Sequence, residues 1–335
     1  MSLPPILRGR LRIPVVGAPL FIISHPDLVV AQCTSGVVGS FPALNARPAE
    51  QLDTWLTEIR ERLAAWDAAH PERPAAPFAV NQIVHKSNDR LGHDLELCVK
   101  HRVPIVITSL GAREDLNQAI HSYGGIVLHD VINVVHAHKA IERGADGLIA
   151  VCAGAGGHAG ALSPFALISE IRTWWNGPLL LAGAIANGRS VLAAQALGAD
   201  LAYIGSAFIA TREARASPRY KEAIVDATAA DIVYTNLFTG VLGNYLKASI
   251  LNAGLDPENL PTSDPSKMSF SSASTKAWRD IWGCGQGIGG IEAVRGVAEL
   301  VDQLVAEYAA ARSELAADPI RSGGVGLFAD DRGQG

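Results

Sequence analysis

One histidine, His158, stands in the glycine-rich run at residues 154–160, Gly-Ala-Gly-Gly-His-Ala-Gly, directly after an apolar segment. An unperturbed imidazole has a pKa of about 6.5, so it can accept or donate a proton near neutral pH. The glycines on both sides would let the backbone approach a flat ligand closely. The pattern predicts an acid–base residue; the alternative is a loop histidine that only caps a backbone group.

Two more glycine turns follow later apolar segments, at Gly183 and at Gly205-Ser206. In a barrel of alternating strands and helices, the loops after the last two strands commonly bind phosphate. Glycines leave backbone N–H groups accessible there, and a following helix N-terminus favours an anion. The two turns together predict a phosphate site, although ordinary strand-to-helix turns also use glycine.

Polar residues close three other apolar segments. Asn81, whose amide can donate and accept, suits the polar edge of a ring. Thr108 fits either a ligand contact or a helix cap. His129 and Asp130 could face a ligand or pair with each other.

The elements that would position these residues are eight short apolar runs with helical patterns between them. The runs are rich in Val, Ile and Leu without polar alternation, which is typical of strands buried on both faces of a parallel sheet. They span residues 14–18, 36–40, 78–81, 104–108, 125–129, 147–151, 178–183 and 201–205. Helices are expected at 24–36 with Ser24 as N-cap, 47–66, 134–143, 189–197 and 300–315.

This alternation predicts a (β/α)8 barrel, with a doubly wound open sheet as the alternative. We expect the barrel to comprise residues 1–211 and 277–316. Residues 212–276 contain helical and loop patterns without strands and would form a helical cap, which ends in a Ser/Thr/Pro-rich stretch at 261–275. Residues 317–335 would form a loose tail. The active site of such a barrel lies at the carboxyl ends of its strands.

Composition narrows the function class. Of the 335 residues, 48% are hydrophobic and 18% charged, which favours a well-packed globular protein over disorder. The net charge of −5 without a basic run argues against nucleic-acid binding. Four cysteines without a CxxC or zinc-ligand spacing indicate a reduced, cytoplasmic protein that binds no metal. Pro14 and Pro19 interrupt the N-terminal apolar run, and no run reaches the roughly 18–20 apolar residues that span a bilayer.

Taken in order, the segments resemble the nitronate monooxygenase family, together with its relatives the FMN-dependent enoyl-ACP reductases and NADH:quinone reductases. The resemblance extends from about residue 14 to 289. The segments that carry it are 14–20 (Pro-Val-Val-Gly-Ala-Pro-Leu), 78–81 (Phe-Ala-Val-Asn), 144–147 (Gly-Ala-Asp-Gly), 156–160 (Gly-Gly-His-Ala-Gly), 182–185 (Ala-Gly-Ala-Ile), 198–200 (Gly-Ala-Asp), 205–211 (Gly-Ser-Ala-Phe-Ile-Ala-Thr) and 283–287 (Gly-Cys-Gly-Gln-Gly).

The resemblance implies one FMN in the barrel. The residues that would lie along or beside the flavin ring are Ala18, Pro19, Leu20, Asn81, Gly156 and Gly157. Those that would hold its phosphate are Gly183, Ala184, Gly205 and Ser206. His158 falls on the family's catalytic histidine and would remove the acidic proton beside a nitro group, after which reduced flavin passes electrons to O2.

We therefore expect an oxidoreductase that oxidises alkyl nitronates with O2, with His158 as the catalytic base. The first alternative is an NAD(P)H-dependent flavin reductase of enoyl thioesters or quinones. A flavin-binding barrel without catalysis and a flavin-free barrel such as a phosphosugar isomerase are the others. The sequence leaves monomer and homodimer open.

Three departures from the family pattern leave the substrate open. Asp130 stands where relatives often carry a lysine, and an inward carboxylate would repel an anionic nitronate. The cap segment 235–244 lacks the arginines of many relatives. Residues 282–290 contain one glycine-rich element more than the family pattern, and Gln286 within this segment has no assigned role.

Overall fold

The structure is a computed structural model that describes residues 3–263 and 280–317. Its strands are β1 Val15–Gly17, β2 Gly39–Pro42, β3 Phe78–Ile83, β4 Ile105–Ser109, β5 Ile126–Val131, β6 Gly147–Val151, β7 Gly157–His158, β8 Leu179–Ala182, β9 Leu201–Ile204, β10 Ile232–Thr235 and β11 Gly243–Leu246. Its α-helices are α1 Pro26–Thr34, α2 Gln51–Ala69, α3 Leu91–Lys100, α4 Glu114–His121, α5 Val134–Glu142, α6 Pro164–Arg172, α7 Gly188–Leu197, α8 Ser206–Ile209, α9 Pro218–Val225, α10 Lys247–Asn252 and α11 Val297–Ala316. Short 3-10 helices span Pro5–Leu7, Ala43–Asn45, Ala229–Asp231 and Gln286–Gly290.

Eight parallel strands form one sheet, in the order β1-β9-β8-β6-β5-β4-β3-β2. The two strands at the ends of this order, β1 and β2, are also joined: Val16 of β1 forms a parallel bridge with Val38, which directly precedes β2. The sheet therefore closes on itself. The (β/α)8 barrel is therefore confirmed, and the open doubly wound sheet is wrong. Each of the eight predicted runs overlaps one strand of this sheet. The second strand begins at Gly39 rather than at residue 36, because Gly36 has a positive φ of 87° and ends the turn after α1.

The strands lack polar alternation because both of their faces are buried. In β4, Ile105 and Ile107 face the barrel interior, where they pack with Val16 and Leu128. The intervening Val106 faces the opposite way and packs in the layer between the sheet and its helices. Apolar side chains on successive positions therefore fill two separate cores.

Three predicted helix starts need correction, and one of them is that of α11, which begins at Val297 rather than at residue 300. The N-cap position of α1 is occupied by His25 rather than Ser24, and the His25 side chain makes no capping hydrogen bond. The Ser24 hydroxyl instead accepts the Leu20 N–H at 2.9 Å. Helix α2 begins at Gln51 rather than at residue 47, since a residue that precedes a proline, as Arg47 precedes Pro48, disfavours helical geometry. The predicted end of α7 is confirmed, with Gly198 at a φ of 111°.

The expectation of no strands within residues 212–276 is wrong. β10 and β11 form an antiparallel hairpin, and β11 also pairs with β7, which places Gly243 opposite His158. The run Ile-Val-Tyr-Thr of β10 is rich in β-branched and aromatic residues, the signal that the sequence reading missed. The segment also contains α9 and α10. Its division from the barrel as a cap stays a prediction.

Most of the Ser/Thr/Pro-rich stretch at 261–275 and of the tail at 317–335 lies outside the described residues. Within residues 3–263 and 280–317, no helix is both long and apolar enough to cross a membrane.

Candidate active site

A cavity of about 270 Å³ opens at the carboxyl ends of the barrel strands. It lies where all eight strands of the barrel end, as expected for this architecture. It is lined by all eleven residues predicted to bind the flavin or to act as the base, namely Ala18, Pro19, Leu20, Asn81, Gly156, Gly157, His158, Gly183, Ala184, Gly205 and Ser206. The structure thus brings together residues that are up to 188 positions apart, from 18 to 206.

The segment that carries Ala18–Leu20 is held by one side chain, Asn45. Its Oδ1 accepts the Ile22 N–H at 2.8 Å, and its Nδ2 donates to the carbonyl oxygens of Leu20 and Ser24 at 3.0 and 2.9 Å. Three bonds from one buried amide fix the turn after β1 against the cavity. Nothing in the sequence marked Asn45, because its partners lie more than 20 positions away.

Backbone contacts between glycine segments shape the wall that carries His158. The carbonyl oxygen of Gly154 accepts the N–H groups of Ala184 and Gln286 at 3.2 and 2.9 Å. A Cβ on Gly156 would lie 2.7 Å from the Gly285 nitrogen, and one on Gly285 would overlap the Gly154 carbonyl oxygen. The glycine-rich segment at 282–290 therefore packs its backbone against the loop that carries His158 and supports it. Gln286 takes part through its backbone N–H, which donates to Gly154. We call this contact the brace.

His158 is oriented by Thr239, a residue that the sequence did not single out. The distance from His158 Nε2 to Thr239 Oγ1 is 2.8 Å. Thr239 Oγ1 also donates to the Val241 carbonyl oxygen at 3.1 Å, which uses its only hydrogen. We therefore assign the ring proton to Nε2, which leaves Nδ1 as the basic nitrogen of the neutral ring. Burial lowers the pKa of His158 to about 4, so the imidazole is neutral at pH 7 and able to accept a proton.

A second polar group, at the ends of β3, β4 and β5, lines the cavity. Ser109 Oγ donates to Asp130 Oδ2 at 2.5 Å, and Asn81 Nδ2 donates to Ser109 Oγ at 2.8 Å. Burial raises the pKa of the Asp130 carboxyl to about 6, against the opposing effect of the Ser109 bond. Asn81 Nδ2 also donates to the Ile107 carbonyl oxygen at 3.2 Å, so both its amide hydrogens are used and Asn81 can meet a ligand only as an acceptor.

Thr108, His129 and Asp130 were each expected either to contact a ligand or to make a structural contact, and the structure separates Asp130 from the other two. His129 pairs with Thr108, its Nδ1 lying 2.6 Å from Thr108 Oγ1, and both side chains are buried away from the cavity. Asp130 instead faces the cavity. The Thr108 hydroxyl is therefore bonded to His129 rather than to a ligand or a helix end. Of the two alternatives left open for His129 and Asp130, Asp130 faces the cavity and the two side chains do not pair with each other.

The glycine turns after β8 and β9 form the end of the cavity where a phosphate was expected. Gly183 has a φ of 145°, which only glycine adopts readily, and Ala184 follows in a left-handed conformation at 53°. A Cβ on Gly205 would lie 3.5 Å from Leu20 Cδ2 and 3.6 Å from Ala18 Cβ, so this point has room for a ligand atom. Ser206 Oγ accepts the Gly285 N–H at 2.9 Å, which leaves its hydroxyl hydrogen to donate. The lack of a side chain at Gly205 and the hydroxyl donor of Ser206 fit a phosphate.

Among the described residues that line the cavity there is no lysine or arginine. Its titratable groups are Asp130, His158, Tyr203 and Tyr220. Burial raises the pKa of both tyrosines well above 10, and for Tyr203 the neighbouring Asp130 charge adds to this rise. Within the described residues no cluster of His, Cys, Asp and Glu could hold a metal ion.

Comparisons with known proteins agree with this geometry. The family described as nitronate monooxygenase matches residues 10–307. A nitronate monooxygenase of Paraburkholderia phytofirmans is 26% identical over 73% of this chain and 76% of its own length. A protein of Mycobacterium tuberculosis named for monooxygenase activity is 28% identical over 64% of this chain and 61% of its own length.

The fold is shared with the solved structure of a nitroalkane oxidase from Streptomyces ansochromogenes. That structure has a TM-score of 0.76 and 24% identity, and the match covers 92% of this chain and 99% of the other. The family match extends over nearly the whole sequence, including every residue that lines the cavity. The chain therefore belongs to the nitronate monooxygenase family and is a flavin-dependent oxidoreductase.

Proposed function

We propose that this chain is an FMN-dependent nitronate monooxygenase, which oxidises alkyl nitronates and their parent carbon acids with O2 and uses His158 as its base. The observation that carries the proposal is that His158 lines the same cavity as the ten residues expected to hold the flavin. A small-molecule substrate would enter this cavity beside the cofactor.

The residues present fit FMN. The flavin ring would lie between Ala18–Leu20 on one side and Gly156-Gly157 on the other, and Asn81 Oδ1 would accept from a ring N–H. Gly205 and the Ser206 hydroxyl would hold the phosphate. When bound, the flavin supplies two-electron oxidation of the substrate and transfer of those electrons to O2.

His158 would do the proton chemistry. Its neutral ring takes the acidic proton of the substrate at Nδ1, while Nε2–H stays bound to Thr239 Oγ1 at 2.8 Å. Because Thr239 fixes the rotation of the ring, the basic nitrogen stays directed toward one point in the cavity. Apolar side chains, among them Leu20, Ile23 and Ile185, line the cavity and would limit the access of water to the reacting atoms.

We expect Thr239→Val to lower kcat by about ten- to a hundredfold with little change in KM, because the ring loses the acceptor that orients it. Thr239→Ser keeps the hydroxyl and should restore most of the rate. Steady-state kinetics over a range of pH check this. Equal kinetics for the two variants would show that Thr239 does not position the base.

Gly205→Ala tests the phosphate end of the cavity. The added methyl fits against Ala18 and Leu20, so the free energy of unfolding of the apoprotein should change by less than about 1 kcal/mol. The methyl occupies the space expected for the phosphate, and the Kd for FMN should rise by at least about tenfold. Fluorescence titration of the apoprotein with FMN measures this. Gly92→Ala, on α3 with no neighbour within 4 Å, is the control.

Anaerobic stopped-flow reduction of the FMN-loaded protein decides between the oxidase and the reductase. Bleaching of the flavin by alkyl nitronates or nitroalkanes, and not by NADH or NADPH alone, supports the proposal. Rapid bleaching by NADH or NADPH would instead favour the reductase of enoyl thioesters or quinones. A purified protein that is colourless and takes up no FMN would contradict both.

A further inference from the structure

Tyr203 lies near the end of β9, and its side chain lines the cavity. Two positions earlier, Leu201 packs inside the barrel with Val16 and Leu180. Because side chains alternate along a strand, Tyr203 points to the same side as Leu201, one layer closer to the carboxyl ends of the strands. The phenol therefore extends from the barrel interior into the base of the cavity.

The same alternation places three other polar side chains in this layer. Each follows an interior residue by two positions, since Ala79 on β3, Ile107 on β4 and Leu128 on β5 all pack inside the barrel. We call this layer the polar floor. It consists of Asn81, Ser109, Asp130 and Tyr203, all of which line the cavity. A ligand that fills the cavity therefore meets polar groups at its base.

Most hydrogen-bond donors around the cavity are already used within the protein. Apart from the Asp130 carboxyl, six of the described lining side chains carry an N–H or O–H group. Four of these donate to protein acceptors, namely Asn81, Ser109, His158 and Tyr220. The remaining two are Ser206, which is expected at the phosphate, and Tyr203.

The Tyr203 hydroxyl has its hydrogen available for a ligand. It forms no hydrogen bond to another described residue, and it is not enclosed by the core, since the phenol borders the cavity. The charge of the Asp130 carboxylate acts on the phenol, but no hydrogen bond joins the two groups. Burial and this charge raise the pKa of Tyr203 well above 10, so the hydroxyl is a neutral donor at pH 7.

We propose that the Tyr203 hydroxyl donates a hydrogen bond to a carbonyl oxygen of the flavin ring. This inference rests on the proposed function and adds a residue that binds the cofactor. The polar edge of a flavin carries an N–H group between two carbonyl oxygens. Asn81 can only accept, which suits the N–H. A neighbouring donor on the polar floor is then needed for a carbonyl oxygen, because a buried acceptor without a partner is costly.

The substrate is the less suitable partner for this hydroxyl. The charge of Asp130 acts on Tyr203, whereas the pKa of His158 is shifted by burial alone. The base and the polar floor are therefore separate parts of the cavity. Tyr203 belongs with Asn81 rather than with the carbon from which His158 takes a proton.

Tyr203 also favours the reduced cofactor. Reduction adds negative charge to the flavin ring, and a hydrogen bond to a charged acceptor is about twice as strong as one to a neutral acceptor. The hydroxyl therefore stabilises the reduced ring more than the oxidised ring, which raises the reduction potential of the bound flavin. No lysine or arginine among the described lining residues provides this stabilisation.

Tyr203→Phe removes only the hydroxyl, so the apoprotein should unfold at the same urea concentration as the wild type. We expect the Kd for oxidised FMN to rise by about tenfold and that for reduced FMN by about a hundredfold. This tenfold difference corresponds to a fall of about 30 mV in the reduction potential, measured anaerobically against a reference dye. Tyr123→Phe removes a hydroxyl that is bonded to the Val103 carbonyl oxygen away from the cavity, and should match the wild type.

FMN analogues with sulfur in place of one ring carbonyl oxygen identify the acceptor, because sulfur accepts hydrogen bonds weakly. With one of the two analogues, the wild type should lose about tenfold in affinity relative to FMN, and Tyr203→Phe should lose nothing, which is the coupling expected of two groups in contact. The absence of coupling with both analogues, or an unchanged reduction potential, overturns the proposal. A higher KM for alkyl nitronates in Tyr203→Phe, with the same potential and Kd for FMN as the wild type, also overturns it, since the hydroxyl would then bind the substrate.

If Tyr203→Phe does not fold, Tyr203→Leu, which also lacks a donor, takes its place in the same measurements. These measurements report on cofactor binding and do not depend on turnover. Failure of nitronate or nitroalkane oxidation would contradict the proposed function and leave the role of Tyr203 intact, whereas an unchanged potential contradicts only the role of Tyr203.

Discussion

Replacement of His158 by glutamine should lower kcat/KM for a nitroalkane by about a hundred- to ten-thousandfold, the usual contribution of a general base. The glutamine amide can still donate to Thr239, but it has no nitrogen that accepts a proton. We expect FMN to remain bound, since the ring would be held by residues from other segments. The flavin spectrum and the Kd for FMN check that the loss lies in the chemistry rather than in the cofactor.

The dependence of the wild-type rate on pH gives an independent check on the same residue. Because the pKa of His158 is lowered to about 4, the base is neutral above this value, and the rate on a neutral substrate should fall only as the pH drops toward 4. His121→Gln, which alters an exposed histidine bonded to Asp146, should retain the full rate. Unchanged turnover in His158→Gln, with FMN bound, would remove His158 from the mechanism.

The second large effect is expected from Gly285→Ala. A Cβ at this position would overlap the Gly154 carbonyl oxygen and lie 2.9 Å from the Gly156 nitrogen, and both are backbone atoms that cannot move alone. We expect the free energy of unfolding to fall by about 1–3 kcal/mol, the usual cost of overpacking. Displacement of the loop that carries Gly156, Gly157 and His158 should lower kcat by about a hundredfold as well.

Gly289→Ala is the matched control, because it lies in the same glycine-rich run but a Cβ there has no neighbour closer than the Thr228 Cα at 3.9 Å. Urea unfolding of the apoproteins and steady-state kinetics of the FMN-loaded proteins separate the two variants. If Gly285→Ala is as stable and as active as Gly289→Ala, the brace between the two glycine segments does not hold the histidine loop.

The barrel strands could be predicted because a local property marks them. In β4, Ile105, Val106 and Ile107 are apolar in succession, since both faces of a strand in this sheet are buried. Strand β10 carries such a local signal, which was overlooked, whereas β11 was missed for the opposite reason. β11 holds Gly243 and Asn244, residues that are rare in strands, and it pairs with the two-residue strand β7 through a close backbone approach that glycine permits.

The sequence by itself determined the fold class and the eight strands, because each strand is marked by its own apolar run. The residues that gather around His158 were predicted from the resemblance to the family as well as from their places at the ends of those runs. The tertiary structure alone decided how those residues act on each other. Thr239 orients His158 from 81 positions away, and Asp130 turns toward the cavity and Ser109 rather than toward His129. Such pairings join distant segments, and the burial that shifts the pKa values of His158 and Asp130 exists only once the barrel has closed.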